Sequence, residues 1–220
     1  MIALIDYGAG NLTSVRKAFA AIGADVVVPA SPSDIGAAAA IVVPGVGHIN
    51  ATRVLEGEWT DAILARVGEG RPLLGICLGM QWLFEGSEEA PDCPVLGVLA
   101  GKCFRLGGNQ QGPAPSDVEG LGTVKGETRI KVPHVGWNSV EVQRESPIAD
   151  SLPSGVQMYF THSFAAPVTG DTVAVTDHGG SFAAIVQRGH IVGVQFHPEK
   201  SGEAGLQILR NFIALAGIAG

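Results

Sequence analysis

LLGICLGMQWLF, residues 73–84, decides how the rest of the chain is read. It opens with an apolar run of strand length, residues 73–76, and continues into a stretch with helical character, residues 79–84. Between them stands Gly75-Ile76-Cys77-Leu78-Gly79, the nucleophile-elbow pattern with cysteine in place of serine. A strand that turns sharply into a helix needs small residues on both sides of the turn, and Gly75 and Gly79 supply them. The turn lifts the sulfur above the sheet at a helix N-terminus, where the helix dipole favours the reactive thiolate. A cysteine can equally be a small apolar core residue. The flanking glycines after a strand are what favour the nucleophile.

Outward from this point the first half of the chain alternates strand and helix. Residues 1–5 read as a strand, with no basic segment before them, and not as a signal peptide. Asn11 is placed to cap a helix whose Leu12, Val15, Phe19 and Ile22 share one face. Strands are expected at 26–28 and 40–43, and a helix at 59–67. Short apolar strands joined through helices imply a parallel sheet covered on both faces. The second half reads as short strands near 101–106, 128–132, 138–143, 156–165, 172–176, 182–187 and 191–196, with a closing helix over 205–216. The expected fold class is therefore α/β: a central, mostly parallel sheet flanked by helices on both faces, with an antiparallel strand-rich extension. Residues 107–126 are rich in Gly and poor in apolar side chains, and predict a long mobile loop inserted in a single domain covering 1–220.

Bulk composition sets limits on function. Hydrophobic residues make up 46% of the 220 and charged ones 16%, which is globular and not disordered. The net charge of −7, without a Lys/Arg-rich run, argues against nucleic acid as a partner. No apolar stretch reaches membrane-spanning length. Three irregularly spaced cysteines, Cys77, Cys93 and Cys103, argue against a disulfide framework and for a cytoplasmic setting.

Two further motifs join Cys77. Phe196-His197-Pro198-Glu199 ends the last expected strand. In extended chain, residues two apart face the same side, so Glu199 can orient the His197 imidazole. Cys77, His197 and Glu199 then supply the nucleophile, base and orienting acid of a triad. Pro44-Gly45-Val46-Gly47 ends another expected parallel strand, and ligands bind beyond such ends. Its backbone can aim an N–H at a developing oxyanion, with the N–H of Leu78 as second donor. No pair of residues has metal-site spacing, so no metal is expected. Gly8-Ala9-Gly10 lacks the third glycine of a dinucleotide fingerprint, so NAD is set aside and no cofactor is expected.

These motifs together resemble the triad-type class I glutamine amidotransferases, and within them the glutaminase subunits of imidazole glycerol phosphate synthases. The likeness covers nearly the whole chain: IDYGAGNL (5–12), PGVG (44–47), GICLGMQWLFEGSEE (75–89), KVPHVGWN (131–138), YFTHSF (159–164) and GVQFHPEKS (193–201). It implies release of ammonia from glutamine in histidine biosynthesis, with Cys77, His197 and Glu199 as the triad. It implies an oxyanion hole at Val46 and Leu78, and glutamine held by Gly47, Gln81, Thr161, His162 and Ser163. It also implies a heterodimer with a (βα)₈-barrel cyclase subunit that receives the ammonia, with Trp137, Asn138, Tyr159 and Lys200 near the interface. The cyclase forms imidazole glycerol phosphate and an aminoimidazole carboxamide ribonucleotide. Phe164 departs from the tyrosine usual in this subunit, and residues 107–126 from its usual length. Two other readings stand beside this one. The chain could be the glutaminase of a different synthase, such as one making pyridoxal phosphate, against which KVPHVGWN and HPEKS speak. It could be a non-catalytic scaffolding subunit, against which the complete triad set speaks.

Overall fold

The computed structural model describes residues 1–107 and 130–218. Most of the segment expected to be a mobile loop, from 108 to 126, lies outside the described residues. The first half holds β1 (Ile2–Leu4), α1 (Leu12–Ala21), β2 (Val26–Val27), β3 (Ala40–Gly45), α2 (Glu58–Gly68), β4 (Leu73–Cys77) and α3 (Leu78–Trp82). The second holds β5 (Phe104–Arg105), β6 (His134–Val142), β7 (Val156–His162), β8 (Phe164–Ala165), β9 (Thr172–Asp177), β10 (Ser181–Arg188), β11 (Ile191–Val194) and α4 (Gly202–Leu215).

Nine strands form one sheet in the order β2-β1-β3-β4-β11-β10-β9-β6-β7, and β5 pairs with β8 apart from it. From β2 to β11 the neighbours are parallel. From β11 to β7 they are antiparallel. The expected extension is thus continuous with the parallel sheet, joined to it through β11.

Strand alternation explains the two cores. Ile2, Leu4, Val42, Leu74 and Ile76 pack with Val15 and Phe19 of α1 and with Leu209 and Phe212 of α4. The intervening Ala3, Ile5, Ile41, Val43 and Leu73 pack on the opposite side with Ile63 of α2 and Leu78 and Trp82 of α3. A ten-residue helix such as α1 is marginal alone in water. Burial of its apolar face holds it, and its start is fixed by Asn11, whose side chain accepts the Ser14 N–H at 3.2 Å.

Several boundaries differ from expectation, each for a local reason. Residues 130–132, the described part of the strand expected near 128–132, are not in a strand. Pairing begins just after Pro133, which has no N–H to give to a ladder. The strand expected at 138–143 starts earlier, at His134, because Gly136 sits inside it at a φ of 133° rather than breaking it. The run 156–165 is broken at Ser163, so β7 stays in the main sheet while β8 turns away to β5. Of 101–106 only Phe104–Arg105 form a strand. The last helix begins at Gly202, ahead of Gly205, which lies against Pro198: a Cβ at Gly205 would stand 2.0 Å from the Pro198 carbonyl oxygen. No helix among the described residues is long and apolar enough to cross a membrane.

Candidate active site

The carboxyl ends of β3, β4 and β11 are neighbours, with Gly45 opposite Cys77 and Val194 opposite Ile76. Everything that follows β3, β4 and β11 is therefore delivered to one place above the sheet. At the end of β4 Cys77 has φ 53° and ψ −103°, a conformation that costs an L residue on the order of 1–3 kcal/mol. Close packing holds it there. A Cβ at Gly79 would stand 1.8 Å from the Val43 carbonyl oxygen, and one at Gly75 would stand 2.5 Å from the Gly79 oxygen. The two glycines let α3 turn back onto β3. The helix itself has only five residues, so the free N–H groups of its first turn, Leu78 first, matter more here than a long dipole.

The last strand places His197 with its ring almost wholly buried, at 2% exposure. Its backbone is pinned from two sides: its N–H donates to the Tyr159 carbonyl at 2.9 Å, and its own carbonyl accepts the Ser201 hydroxyl at 2.7 Å. Nδ1 of the ring lies 2.8 Å from Glu199 Oε1. The two side chains meet, though not by the extended-chain route expected. Pro198–Lys200 form a 3-10 turn, and His197 is the extended residue that leads into it. Nε2 of His197 is buried without a hydrogen-bond partner, and Cys77 is close enough to act on the ring. Burial alone would lower the imidazole pKa; the Cys77 sulfur and Glu199 outweigh it and raise the ring to about 10. The sulfur and the Glu199 carboxyl on either side of the ring favour its imidazolium form, the surroundings a reactive cysteine needs.

Other expected residues surround this centre. A cavity of about 270 Å³ opens on Cys77 and is lined by Gly47, Leu78, Gln81, Thr161, His162, Ser163 and Phe164, with Glu89 and Pro133. The break at Ser163 is what turns 161–163 onto the cavity. Thr161 presents its carbonyl to the sulfur at 3.9 Å. Val46 is 38% exposed at the rim. Gly45 is pressed under Tyr7, whose hydroxyl would stand 2.0 Å from a Cβ there. That hydroxyl is buried and unpartnered, and burial first, then the Cys77 sulfur, push its pKa up.

Three residues escaped the sequence reading. Gln195 is fully buried and its Nε2 donates to Cys77 Sγ at 3.6 Å. It stands two residues before His197, so the alternation that singled out His197 could have found it. Glu89, whose carboxylate accepts the Ile49 N–H at 2.6 Å, gives the cavity a negative wall suited to an α-ammonium group. Tyr7 sits inside the quoted DYGAGN without a role. Gln81, expected to contact glutamine, spends its Nε2 on the Phe164 carbonyl at 2.7 Å and on Gln195 Oε1 at 3.2 Å.

The expected interface residues gather on β6, β7 and the turn that follows His197. Trp137, 57% exposed, meets the Tyr159 ring edge-on at 6.1 Å, and the Lys200 ammonium lies 5.7 Å from the Tyr159 centroid. Asn138 is turned the other way, inward, donating to the Asp177 carbonyl at 2.9 Å. Among the described residues no group of three or more His, Cys, Asp or Glu side chains could hold a metal ion.

The class-I glutamine amidotransferase profile matches residues 3–216. The imidazole glycerol phosphate synthase subunit HisH of Xylella fastidiosa is 44% identical over 215 residues, 97% of either chain. The subunit of the same name from Syntrophotalea carbinolica is 41% identical, over 96% of this chain and 98% of its own. A solved structure described as a glutamine amidotransferase superposes with a TM-score of 0.72 over 99% of this chain and 100% of its own; its identity of 21% speaks to the fold alone. The chain belongs to the class-I glutamine amidotransferases and, within them, to the family of the HisH subunits of imidazole glycerol phosphate synthase.

Proposed function

We propose that this chain hydrolyses glutamine to glutamate and ammonia, and that it passes the ammonia to a (βα)₈-barrel cyclase with which it forms a cytoplasmic heterodimer of histidine biosynthesis. The observation that carries the reading is the His197–Glu199 contact of 2.8 Å set beside the Cys77 elbow at the mouth of the cavity. Glutamine enters with its ammonium toward Glu89 and its side-chain amide over Cys77. The sulfur attacks the amide carbon, and the carbonyl oxygen gains the negative charge. The N–H of Leu78 and, once its peptide faces the cavity, that of Val46 bind this oxyanion. His197 gives its proton to the departing nitrogen, so that ammonia leaves and a thioester remains. Water then adds to the thioester carbon, with the now neutral His197 taking its proton, and collapse returns glutamate and the thiolate. Glu199 keeps the imidazole oriented in both halves.

Trp137, Asn138, Tyr159 and Lys200 are the residues we assign to the cyclase interface, where aromatic and cationic groups stand together at the sheet's end. The names of the relatives favour this synthase over one making pyridoxal phosphate. The buried, correctly paired His197 and Glu199 speak against a scaffold without activity. Glutamate release by the purified chain, alone and with a barrel cyclase and its nucleotide, is the test. Release in neither condition would remove the glutaminase reading.

A further inference from the structure

A continuous line of hydrogen bonds runs from β6 to the nucleophile, and its chemistry fixes where every proton in it sits. At one end, Asn138 is held in a single orientation. Its Oδ1 accepts the Ser139 N–H at 2.8 Å and its Nδ2 donates to the Asp177 carbonyl at 2.9 Å. The second hydrogen of that amide points to Nε2 of His134, 3.2 Å away, which must therefore accept. At the other end, the Phe164 carbonyl can only accept, so His162 Nδ1, 2.9 Å from it, carries a proton. Between them His134 Nδ1 and His162 Nε2 lie 3.1 Å apart. With His134 Nε2 accepting, its Nδ1 carries the hydrogen, and His162 Nε2 receives it. Both rings are thus neutral and both are Nδ1–H tautomers. A second proton on His162 would set two N–H groups face to face.

The electrostatics agree. Burial, with His178 second, lowers His134 to about 4, and burial likewise lowers His162 to about 3. The groups facing them are His178, stacked on His134 at 4.2 Å with its own Nε2 bonded to the Lys131 carbonyl, and His197.

The Phe164 carbonyl accepts a second hydrogen bond, from Gln81 Nε2. That amide's other hydrogen goes to Gln195 Oε1, and this settles which end of Gln195 faces the sulfur: Nε2, at 3.6 Å from Cys77 Sγ. The reverse orientation would set an amide oxygen against a thiolate. We propose that His134, which does not line the cavity, is a positioning residue for the glutaminase reaction: its Nδ1–H locks His162 on the Phe164 carbonyl, and through Gln81 this keeps the Gln195 amide donating to Cys77. The proposal rests on the glutaminase reading for its consequence in catalysis, but not for its proton arrangement.

Asparagine places an N–H close to where histidine carries Nδ1–H, and leucine places none. In the complex with the cyclase, His134→Leu should lower kcat about tenfold or more, the value of one hydrogen bond to a charged group, with KM changed less than twofold. His134→Asn should keep at least about half of the kcat, because it retains the donor. A wild-type kcat in His134→Leu, or an equal loss in both variants, would overturn the proposal. Should either variant fail to fold, nitrogen-15 imidazole spectra of the wild-type chain decide it. His134 and His162 must both appear as neutral Nδ1–H tautomers at pH 7, and an Nε2–H tautomer in either would overturn it. Absence of glutaminase activity in the wild-type complex would defeat the proposed function and leave the spectra to judge the proton arrangement.

Discussion

Three cysteines share one chain, and their surroundings separate their chemistry. Cys103 is fully buried and its thiol is pushed up by burial, with Glu89 adding to the effect. Cys93 is buried and its sulfur points at the Ile49 carbonyl, 3.4 Å away. Only Cys77 opens on the cavity and faces an imidazole. Cys77→Ala should therefore abolish glutamate release with circular dichroism unchanged, and a glutamine-like alkylating agent should modify Cys77 and spare the other two. Peptide mapping checks this, and labelling of Cys93 or Cys103 with Cys77 untouched would refute it. His197→Ala should lose nearly all activity, since in the proposed mechanism the proton on the departing nitrogen comes from that ring. Glu199→Gln should lose less, because the amide still contacts Nδ1; equal losses in kcat would mean that Glu199 does more than orient. Stability responds to pH through the same kind of group. His134 and His162 titrate at about 4 and about 3 when folded, against about 6.5 in the unfolded chain, which then binds more protons as pH falls. Their contribution is complete above about pH 6.5 and is lost as pH drops below it. His197, raised to about 10, acts oppositely: its contribution is complete below about pH 6.5 and is lost as pH rises through 10. Urea midpoints should fall between pH 6.5 and 5, where His162, 7% exposed, is alone worth roughly 1 kcal/mol per pH unit. A midpoint flat across that range would contradict the neutral histidine pair.

At the scale of elements, the elbow is a packing problem before it is a catalytic one. Gly79→Ala would drive a methyl group into the Val43 carbonyl at 1.8 Å, and backbone cannot swing aside as a flexible side chain can. We expect a loss of about 3 kcal/mol or more, seen as a large drop in melting temperature, whereas Gly36→Ala, with nothing near its Cβ, should change little. Similar melting temperatures for the two would show that α3 is free to shift away from β3. The elbow was legible in sequence because its physics is local: an apolar run, glycine, cysteine, glycine. The same holds for α1, whose cap and apolar face lie within one short segment. What was not legible depends on contacts distant in sequence. The strand expected to begin at residue 138 begins at His134, because β7 pairs with both sides of Gly136. The turn over Pro198–Lys200 replaced an expected extended strand, because Ser201 bonds back to His197 and to the Tyr159 N–H. Alternation could place Gln195 on the side of His197, but its role as a donor to sulfur follows only from β11 lying beside β4.

For the molecule as a whole, the sheet's two halves divide the work. The parallel half places Cys77, His197 and the PGVG turn at the ends of three neighbouring strands. Exposed Trp137 and half-buried Tyr159 stand on β6 and β7 of the antiparallel half, and exposed Lys200 meets the Tyr159 ring from the turn after β11. An amidase of this kind that ran without an acceptor would only consume glutamine. The PGVG turn offers the place to stop it. Gly47 has φ 99°, Gly45 is bare of side chain, and Val46 is 38% exposed, so we take the Gly45–Val46 peptide as the unit of the turn that can turn over. With its carbonyl toward the cavity there is one oxyanion donor, Leu78; with its N–H toward the cavity there are two. One such donor is worth roughly 10²–10³ in rate. The His197–Glu199 contact is already made in the chain alone, so on the proposed mechanism a partner would add the second donor and not the base. We therefore expect the isolated chain to release glutamate slowly, and the cyclase with its nucleotide to raise kcat at least about a hundredfold. Val46→Pro, which removes the donor at its source, should lower the stimulated rate toward the basal one. Steady-state glutamate release across these three conditions is the measurement. A lone chain as fast as the complex would show that both donors are in place from the start, and that the turn is a fixed part of the site.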